Sequence, residues 1–363
     1  MFANPRVVLL AAVFLSGALL PGVSAAKPGR HAHSHAHANA RPPISADAIN
    51  QAEFSPPVKL DKVNPGMVKA EILLDRAGVS PGQIDGRDGE NARKAIAAFQ
   101  QSHGLDATGK LDAATWNGLT QGSDQPAIVE YAISEQDVKG PFAKTIPRGL
   151  EKMARLDHLS YASPIELLGE KFHVDPNLLK LLNPGKRFDQ AGTSIRVPNV
   201  GERGRSGRVA KIEVDKSARD LRALGENGEL VAFYPASIGS EEKPAPSGRF
   251  KVRRIAHDPT YHYDPKFKFK GVHTKRKFTI APGPNNPVGL VWIDLTKDSY
   301  GIHGTPDPER IGKTYSHGCI RLTNWDALDL AKRVRKGTPV DFVDEPSAPL
   351  PTGEGPGEAR GRE

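Results

Sequence analysis

The hydrophobic pattern changes its period part-way along the chain, and this change constrains the fold more than any other feature. Between residues 62 and 119, apolar residues recur at helical spacing, as at Ala92, Ala95, Ile96 and Phe99. Beyond residue 208 the apolar runs are short, have period two and are separated by Gly, Pro, Asn and Asp. A chain of 363 residues with two such regions is too long for one core, so we expect two or three folded units.

Residues 61–122 predict three helices. Two amphipathic stretches, 68–77 and 92–99, are separated by turn residues, and a third short helix begins at the acidic N-cap Asp112. The stretches 91–100, 103–105 and 111–116 resemble the bacterial peptidoglycan-binding three-helix module. The resemblance implies affinity for the cell wall.

Residues 126–200 predict a strand, two short helices and a final strand from Thr193 to Val197. The segment resembles a LysM carbohydrate-binding module in Phe172-His173-Val174, in the Leu-Asn-Pro run that ends at Pro184, and in the residues around Ile195. Residues 140–158 form an insertion relative to a compact LysM module. A generic αβ spacer is the alternative interpretation.

Residues 209–344 predict a mainly-β domain, for which a sandwich or barrel is favoured over a wound sheet. Six short strands are expected, around residues 212–214, 221–224, 230–234, 250–255, 290–295 and 340–342. One helix interrupts them, capped by Thr323 or Asn324 and ended by Gly337.

The ends of the chain and its linkers indicate where it acts. A basic start, an apolar run over 7–20 and small residues up to Ala26 are typical of a signal peptide over 1–26, so the mature chain is expected in the periplasm or cell wall. We expect linkers at 27–60 and 201–208, a disordered tail at 345–363 and no transmembrane anchor. The His31–His37 tract could bind a transition metal only loosely, because it has no supporting contacts. A net charge of +8 favours an acidic partner, and export argues against nucleic acid.

Cys319 is the only cysteine of the chain. A single cysteine excludes an intramolecular disulfide and any multi-cysteine metal site. An unpaired thiol is a liability in an oxidising compartment unless its chemistry is used. A thiolate nucleophile needs a nearby imidazole or positive charge, for which His303, His317 and Arg321 are the candidates. The alternative is a buried structural cysteine with two core histidines.

Two motifs carry the chemistry, His303-Gly304 and Ser316-His317-Gly318-Cys319, and Arg321 follows the second. With Pro246-Ser247-Gly248-Arg249-Phe250 upstream, they resemble the L,D-transpeptidase family and its YkuD catalytic domain. The resemblance implies that Cys319 is the nucleophile, His303 its base and the Gly304 carbonyl the group that orients the base.

The resemblance also implies roles for the residues around this dyad. His317 would line the site and support the nucleophile loop, Ser316 would be one of the oxyanion and substrate-binding residues, and Arg321 would hold that loop or a substrate carboxylate. Because Gly318 has no side chain, the amides of Gly318 and Cys319 can closely approach the oxyanion of an acyl-transfer intermediate.

The implied reaction is a transfer between peptidoglycan stems. Cys319 attacks the carbonyl of the third residue of a tetrapeptide stem, D-alanine leaves, and an amine of a second stem completes a 3-3 crosslink. Neither half needs a metal or an organic cofactor, and carbapenem-type inhibitors are expected to acylate the thiol. A cell-wall cysteine hydrolase, an enzyme that attaches or detaches wall proteins, and a non-catalytic wall-binding scaffold are the alternatives. A sortase is disfavoured because its Thr-Leu-x-Thr-Cys motif is absent.

Overall fold

A computed structural model of the chain describes residues 44–55, 62–201, 207–240, 243–267, 274–316 and 318–344. The expected signal peptide, the His31–His37 tract and the tail 345–363 lie outside the described residues. So does most of the linker expected at 201–208.

The N-terminal part of the described chain is helical. Its elements are α1 Ala46–Asn50, α2 Pro65–Arg76, α3 Glu90–Ser102 and α4 Ala113–Thr120. The predicted N-cap of the third predicted helix is confirmed, since the Asp112 carboxylate accepts a hydrogen bond from the Thr115 amide at 2.8 Å. Met67, Ile96 and Phe99 pack with Trp116 in the core that the last three helices share.

The linker expected at 27–60 is wrong over part of its length, because residues 46–50 form α1. Ser45 caps this helix by accepting from the Ala48 amide at 3.1 Å, and Ile49 is fully buried. The side chain of Asn50 pairs in both directions with the backbone of Ile128, at 2.8 and 3.0 Å. A single buried isoleucine and a pairing with a distant strand give no periodic signal in the sequence.

The next segment has two strands enclosing helices. Its elements are β1 Ile128–Ala132, α5 Glu135–Lys139, α6 Leu150–Met153, α7 Pro164–Lys171, α8 Pro176–Leu182 and β2 Ser194–Pro198. The strands pair antiparallel, and Leu168, Leu178 and Ile195 lie in one core. The two predicted helices correspond to α7 and α8, whereas α5 and α6 were not predicted, and the LysM-like assignment stays a prediction.

The C-terminal part is mainly β, as predicted. Its elements are β3 Lys211–Asp215, β4 Asp220–Leu224, β5 Leu230–Pro235, β6 Ser237–Ile238, β7 Gly248–His257, β8 Tyr261–Tyr263, β9 Phe278–Ile280, β10 Val291–Leu295, β11 Gly301–His303, β12 Ile320–Arg321, α9 Asn324–Arg333 and β13 Pro339–Val343. Of the two expected caps, Thr323 is the one observed, since its hydroxyl accepts from the Asp326 amide at 3.2 Å.

One large sheet forms most of this domain and curls around a single core, while β8 and β9 pair separately as a two-stranded sheet. Within the described residues the large sheet has nine strands in the order β5-β4-β3-β13-β7-β10-β11-β12-β6. The long strand β7 joins the two halves, because its first residues pair with β13 and its later ones with β10. Val214, Ile293, Ile320 and Leu330 lie in the enclosed core, so the sheet and α9 share one hydrophobic interior. The barrel-like fold predicted for this domain is confirmed.

The helical segment and the β domain also share a core, although separate folded units were expected. Leu224, Leu230 and Phe233, on β4 and β5, are almost fully buried among residues of α2, α3 and α4. The backbone of Phe233 also exchanges hydrogen bonds with Gly78 and Ser80, at 3.0 and 2.9 Å. The helices therefore cover the edge of β5 and complete its burial.

A second contact joins the αβ segment to the β domain. The amide of Leu159 donates to the Pro282 carbonyl at 2.9 Å, and the side chain of Asn285 donates to Glu166 at 2.7 Å. The ring of His173 stacks on Trp325 of α9 with 5.2 Å between ring centroids. The insertion at 140–158 ends just before Leu159, which makes this contact. The β domain therefore packs against both the helical segment and the αβ segment.

Candidate active site

The pairing of two short strands brings the predicted nucleophile and base to one face of the sheet. Strand β11 pairs in parallel with β12, with Ile302 opposite Ile320 and His303 opposite Arg321. Ile302 and Ile320 are fully buried in the core. Because side chains alternate along a strand, His303 and Arg321 lie on the other face, as does Cys319, which directly precedes β12.

His303 is held in the form of a base. Its side chain is buried, and its Nδ1 lies 2.7 Å from the carbonyl oxygen of Gly304. A carbonyl can only accept, so Nδ1 carries the hydrogen and Nε2 keeps its lone pair. The ring stacks on Trp292, with 5.4 Å between centroids. Burial, and then the charge of Arg321, lowers the pKa of His303 to about 3, so the imidazole is neutral near pH 7.

The thiol of Cys319 is also neutral in the resting site. Burial raises the pKa of Cys319, while a hydrogen bond with the Gly301 backbone and the charge of Arg321 act in the opposite direction. The residue is partly exposed. Its Sγ donates to the carbonyl of Ser299 at 3.7 Å, and the neutral imidazole of His303 lies on the same face of the sheet. Two neutral groups favour general-base activation of the thiol over a preformed thiolate.

The burial of His303 leads to a prediction about stability in acid. The folded state leaves His303 unprotonated down to about pH 3, whereas the unfolded chain binds a proton below about pH 6.5. Acid therefore stabilises the unfolded state, and the free energy of unfolding should fall by about 1.4 kcal/mol per pH unit across this window because of His303. Urea titrations from pH 7 to 4 should show a shallower fall for His303→Gln. His262→Gln, which changes an exposed histidine, is the control and should follow the wild type.

A tight turn places the nucleophile. Gly318 has φ = +109°, and a Cβ there would lie 3.1 Å from the Tyr300 ring, so only glycine fits. The buried Ser316 donates from Oγ to the Cys319 carbonyl and accepts from the Gly318 amide, the latter at 3.2 Å. The Gly318 amide therefore has an acceptor within the turn. His317 lies outside the described residues.

Ser316 should contribute to the rate through this turn. We expect Ser316→Ala to slow acylation of Cys319 about tenfold, because the turn loses both side-chain contacts and the sulfur is less well placed. The midpoint of the pH dependence should not move, since the serine does not contact His303. Thr314→Ala is the control, because it removes a hydroxyl bonded at 3.2 Å to the Arg310 carbonyl in the same loop. Equal rates for both variants and the wild type would contradict this role.

Three residues beside the site carried no sequence signal. Trp292 stacks on His303. Tyr261 lies close enough to Cys319 and Arg321 for their charges to affect it, and burial raises its pKa to about 12. Asn324 was expected only as a possible cap, yet its side chain lies against Gly304 and Gly289, where an added Cβ would be 2.2 and 2.0 Å from its Oδ1. Contacts of this kind depend on the curl of the sheet and leave no periodic trace.

Two further observations concern metal binding and membrane-spanning helices. No cluster of three or more His, Cys, Asp or Glu suited to a metal occurs among the described residues. In the part of the chain that the structure describes, no helix has both the length and the hydropathy to span a bilayer.

Two parts of the described chain match known protein families. Residues 210–342 match the family described as "L,D-transpeptidase catalytic domain", YkuD. A "Putative L,D-transpeptidase YkuD" of Bacillus licheniformis is 34% identical over 181 residues, which cover 49% of this chain and 93% of that protein. The chain belongs to the L,D-transpeptidase family. A second relative, "Putative L,D-transpeptidase YkuD" of Bacillus subtilis, is 33% identical over 170 residues and 87% covered.

Two further comparisons concern the helices and a solved structure. Residues 64–119, which hold α2, α3 and α4, match the family described as "Putative peptidoglycan binding domain". The crystal structure of residues 123–326 of the L,D-transpeptidase from Xylanimonas cellulosilytica is 17% identical, with a TM-score of 0.35, and the match covers 80% of this chain and 99% of that one.

Proposed function

We propose that this L,D-transpeptidase joins peptidoglycan stems by 3-3 crosslinks through an acyl-enzyme on Cys319. The observation that carries the proposal is the hydrogen bond that fixes the Nδ1 of His303 on the Gly304 carbonyl, on the face of the sheet that Cys319 shares. It leaves a neutral Nε2 as the base for the thiol. Membership of the family supports the reaction class.

In the first half-reaction the thiol attacks a stem peptide. The sulfur of Cys319 bonds to the carbonyl carbon of the third residue while its proton passes to Nε2 of His303. The Cys319 amide stabilises the oxyanion of the tetrahedral intermediate. The intermediate then breaks the bond between carbon and nitrogen, and His303 returns the proton to the amine of the departing D-alanine. A thioester remains on Cys319.

In the second half-reaction an amine opens the thioester. The side-chain amine of the diamino acid on another stem attacks the carbonyl carbon, and His303 takes its proton. The bond between carbon and sulfur breaks, and the proton passes to the sulfur, which restores the thiol. Arg321, which lies on the same face, would hold a stem carboxylate or the loop. Each step uses groups of the chain and its two substrates alone.

The proposed domain organisation divides binding from chemistry. Residues 61–122 would bind peptidoglycan and residues 126–200 would add carbohydrate contacts, while residues 209–344 carry the reaction. The match of 64–119 to a peptidoglycan-binding family supports the first assignment. We propose export to the periplasm or cell wall, where this substrate occurs, and acylation of Cys319 by carbapenems.

The experiment that tests the reaction follows one substrate to its product. The mature enzyme is incubated with purified disaccharide tetrapeptide, and the products are identified by tandem mass spectrometry. A dimer linked between two third residues, with release of one D-alanine per dimer, is the expected result. Tripeptide monomers alone would indicate a hydrolase. If the tetrapeptide is recovered unchanged while a carbapenem still acylates the enzyme, the result would indicate another acceptor, such as a wall protein.

A further inference from the structure

A carboxyl group of the αβ segment reaches into the β domain. Glu170, near the end of α7, accepts hydrogen bonds from the side-chain amide of Asn324 at 2.8 and 3.1 Å, one at each oxygen. The hydroxyl of Tyr161 also donates to it, at 3.1 Å. Asn324 is almost fully buried, so its amide has few alternative partners. These bonds cross from one segment of the chain to another.

Asn324 passes this contact to the backbone of the active site. Its Nδ2 faces Glu170 and the Pro284 carbonyl, and its Oδ1 accepts from the Leu290 amide at 3.2 Å. The same Oδ1 lies so close to Gly304 that an added Cβ there would be only 2.2 Å away. The carbonyl of Gly304 accepts from Nδ1 of His303, so the side chain of Asn324 packs directly against the residue that orients the base.

We propose that Glu170 is a positioning residue for the His303–Cys319 dyad, acting through Asn324. This inference rests on the proposed function of the dyad. Glu170 fixes which way the Asn324 amide faces, the amide fixes Gly304, and Gly304 fixes the tautomer and orientation of His303. The αβ segment thereby contributes to chemistry that takes place in the β domain.

The surroundings of Glu170 indicate that a positioning role is its main effect on the site. The titratable groups that face it are Tyr161 on its own segment and Glu166 one turn earlier on α7. Burial raises the pKa of Glu170 to about 8, with a smaller contribution from Glu166, so the carboxyl is largely uncharged near pH 7. An uncharged group exerts little field on Cys319, so its influence has to pass through hydrogen bonds and packing.

The test measures the alkylation rate of Cys319 by iodoacetamide from pH 6 to 10 in the full mature chain. Glu170→Leu keeps the volume and removes both acceptors, and we expect a rate about tenfold lower at pH 7, with its pH profile shifted towards alkali. Glu170→Gln, which retains an acceptor, should recover most of the rate. Glu166→Gln is the matched control, because it alters a carboxyl at the same interface that bonds Asn285 instead of Asn324.

A double-mutant cycle provides the second readout. If Glu170 acts through Asn324, the pair Glu170→Leu and Asn324→Ala should be no slower than Asn324→Ala alone. If Glu170→Leu does not fold, a pair of variants that exchanges the carboxyl and the amide tests the same contact. Asn324→Asp should be slow, because it places two carboxyl groups together, and adding Glu170→Gln should restore a donor and the rate. Additive losses in the cycle, or no rescue in the exchange, would overturn the proposal.

His303→Ala separates the failure of this inference from the failure of the proposed function. A normal alkylation profile for His303→Ala would overturn the dyad itself. A profile that moves for His303→Ala and stays unchanged for Glu170→Leu would overturn only the role of Glu170. Thermal unfolding of each variant identifies any loss of rate that comes from a loss of fold.

Discussion

Replacing Cys319 by alanine is expected to abolish acyl transfer altogether. A thioester requires a thiol, and Cys319 is the only cysteine of the chain. Loss of a nucleophile that works with a base typically removes almost the whole catalytic effect, on the order of a millionfold in a serine protease. Intact-mass spectrometry with a carbapenem should show one adduct on the wild type and none on the variant. Crosslinked dimers should fall below detection.

The same variant separates chemistry from binding. Cys319→Ala removes a partly exposed side chain, so its thermal unfolding should match the wild type. It should also still sediment with insoluble peptidoglycan, because the proposed binding residues lie in other segments. Residual dimer formation by Cys319→Ala would show that the acyl-enzyme lies elsewhere. Loss of sedimentation would assign part of the wall affinity to the active site.

Deleting the segments before residue 207 is expected to unfold the β domain or cause it to aggregate. The deletion exposes Leu224, Leu230 and Phe233, which are at most 5% exposed in the full chain. At about 1.5–3 kcal/mol for each buried side chain, the loss is roughly 5–9 kcal/mol, close to the whole stability of an ordinary domain. The edge of β5 also loses its backbone partners at residues 78 and 80. For a 207–363 fragment, circular dichroism measures the loss of fold and size-exclusion chromatography measures aggregation.

A second fragment tests the reason for the expected failure. The same fragment with Leu224, Leu230 and Phe233 changed to glutamine should be more soluble, because the exposed surface is then polar. Within the full chain, Phe233→Ala should lower the melting temperature, whereas Leu181→Ala should not, since Leu181 is 52% exposed. A stable, active 207–363 fragment would mean that the shared core is dispensable.

Sequence predicted the local parts of this molecule well. The cap at Asp112, the cap at Thr323 and the period-two strands depend on neighbouring residues, so a local pattern specifies them. The motifs around His303 and Cys319 also lie within one short stretch, which two adjacent strands bring together. Their spacing was therefore enough to identify a candidate site.

Contacts between segments could not be read from the pattern. Phe233 alternates like any strand residue, and nothing in its neighbours indicates that helices cover it. Glu170 has the sequence context of a surface residue on an amphipathic helix, yet its carboxyl meets Asn324, 154 positions away. The linker expected at 201–208 indicated separate folded units, because composition reports local stiffness and carries no information on packing between segments.

The shared core beneath β5 has a consequence for how the enzyme would work on a wall. Modules on flexible tethers search a volume around the point of attachment, and their effective concentration depends on tether length. Here the helices that match a peptidoglycan-binding family and the sheet that carries Cys319 are joined through the same buried side chains. Under the proposed function, an anchored molecule would present its thiol at a set distance and direction from the glycan that it binds. That fixed distance would determine which neighbouring stems the enzyme can join.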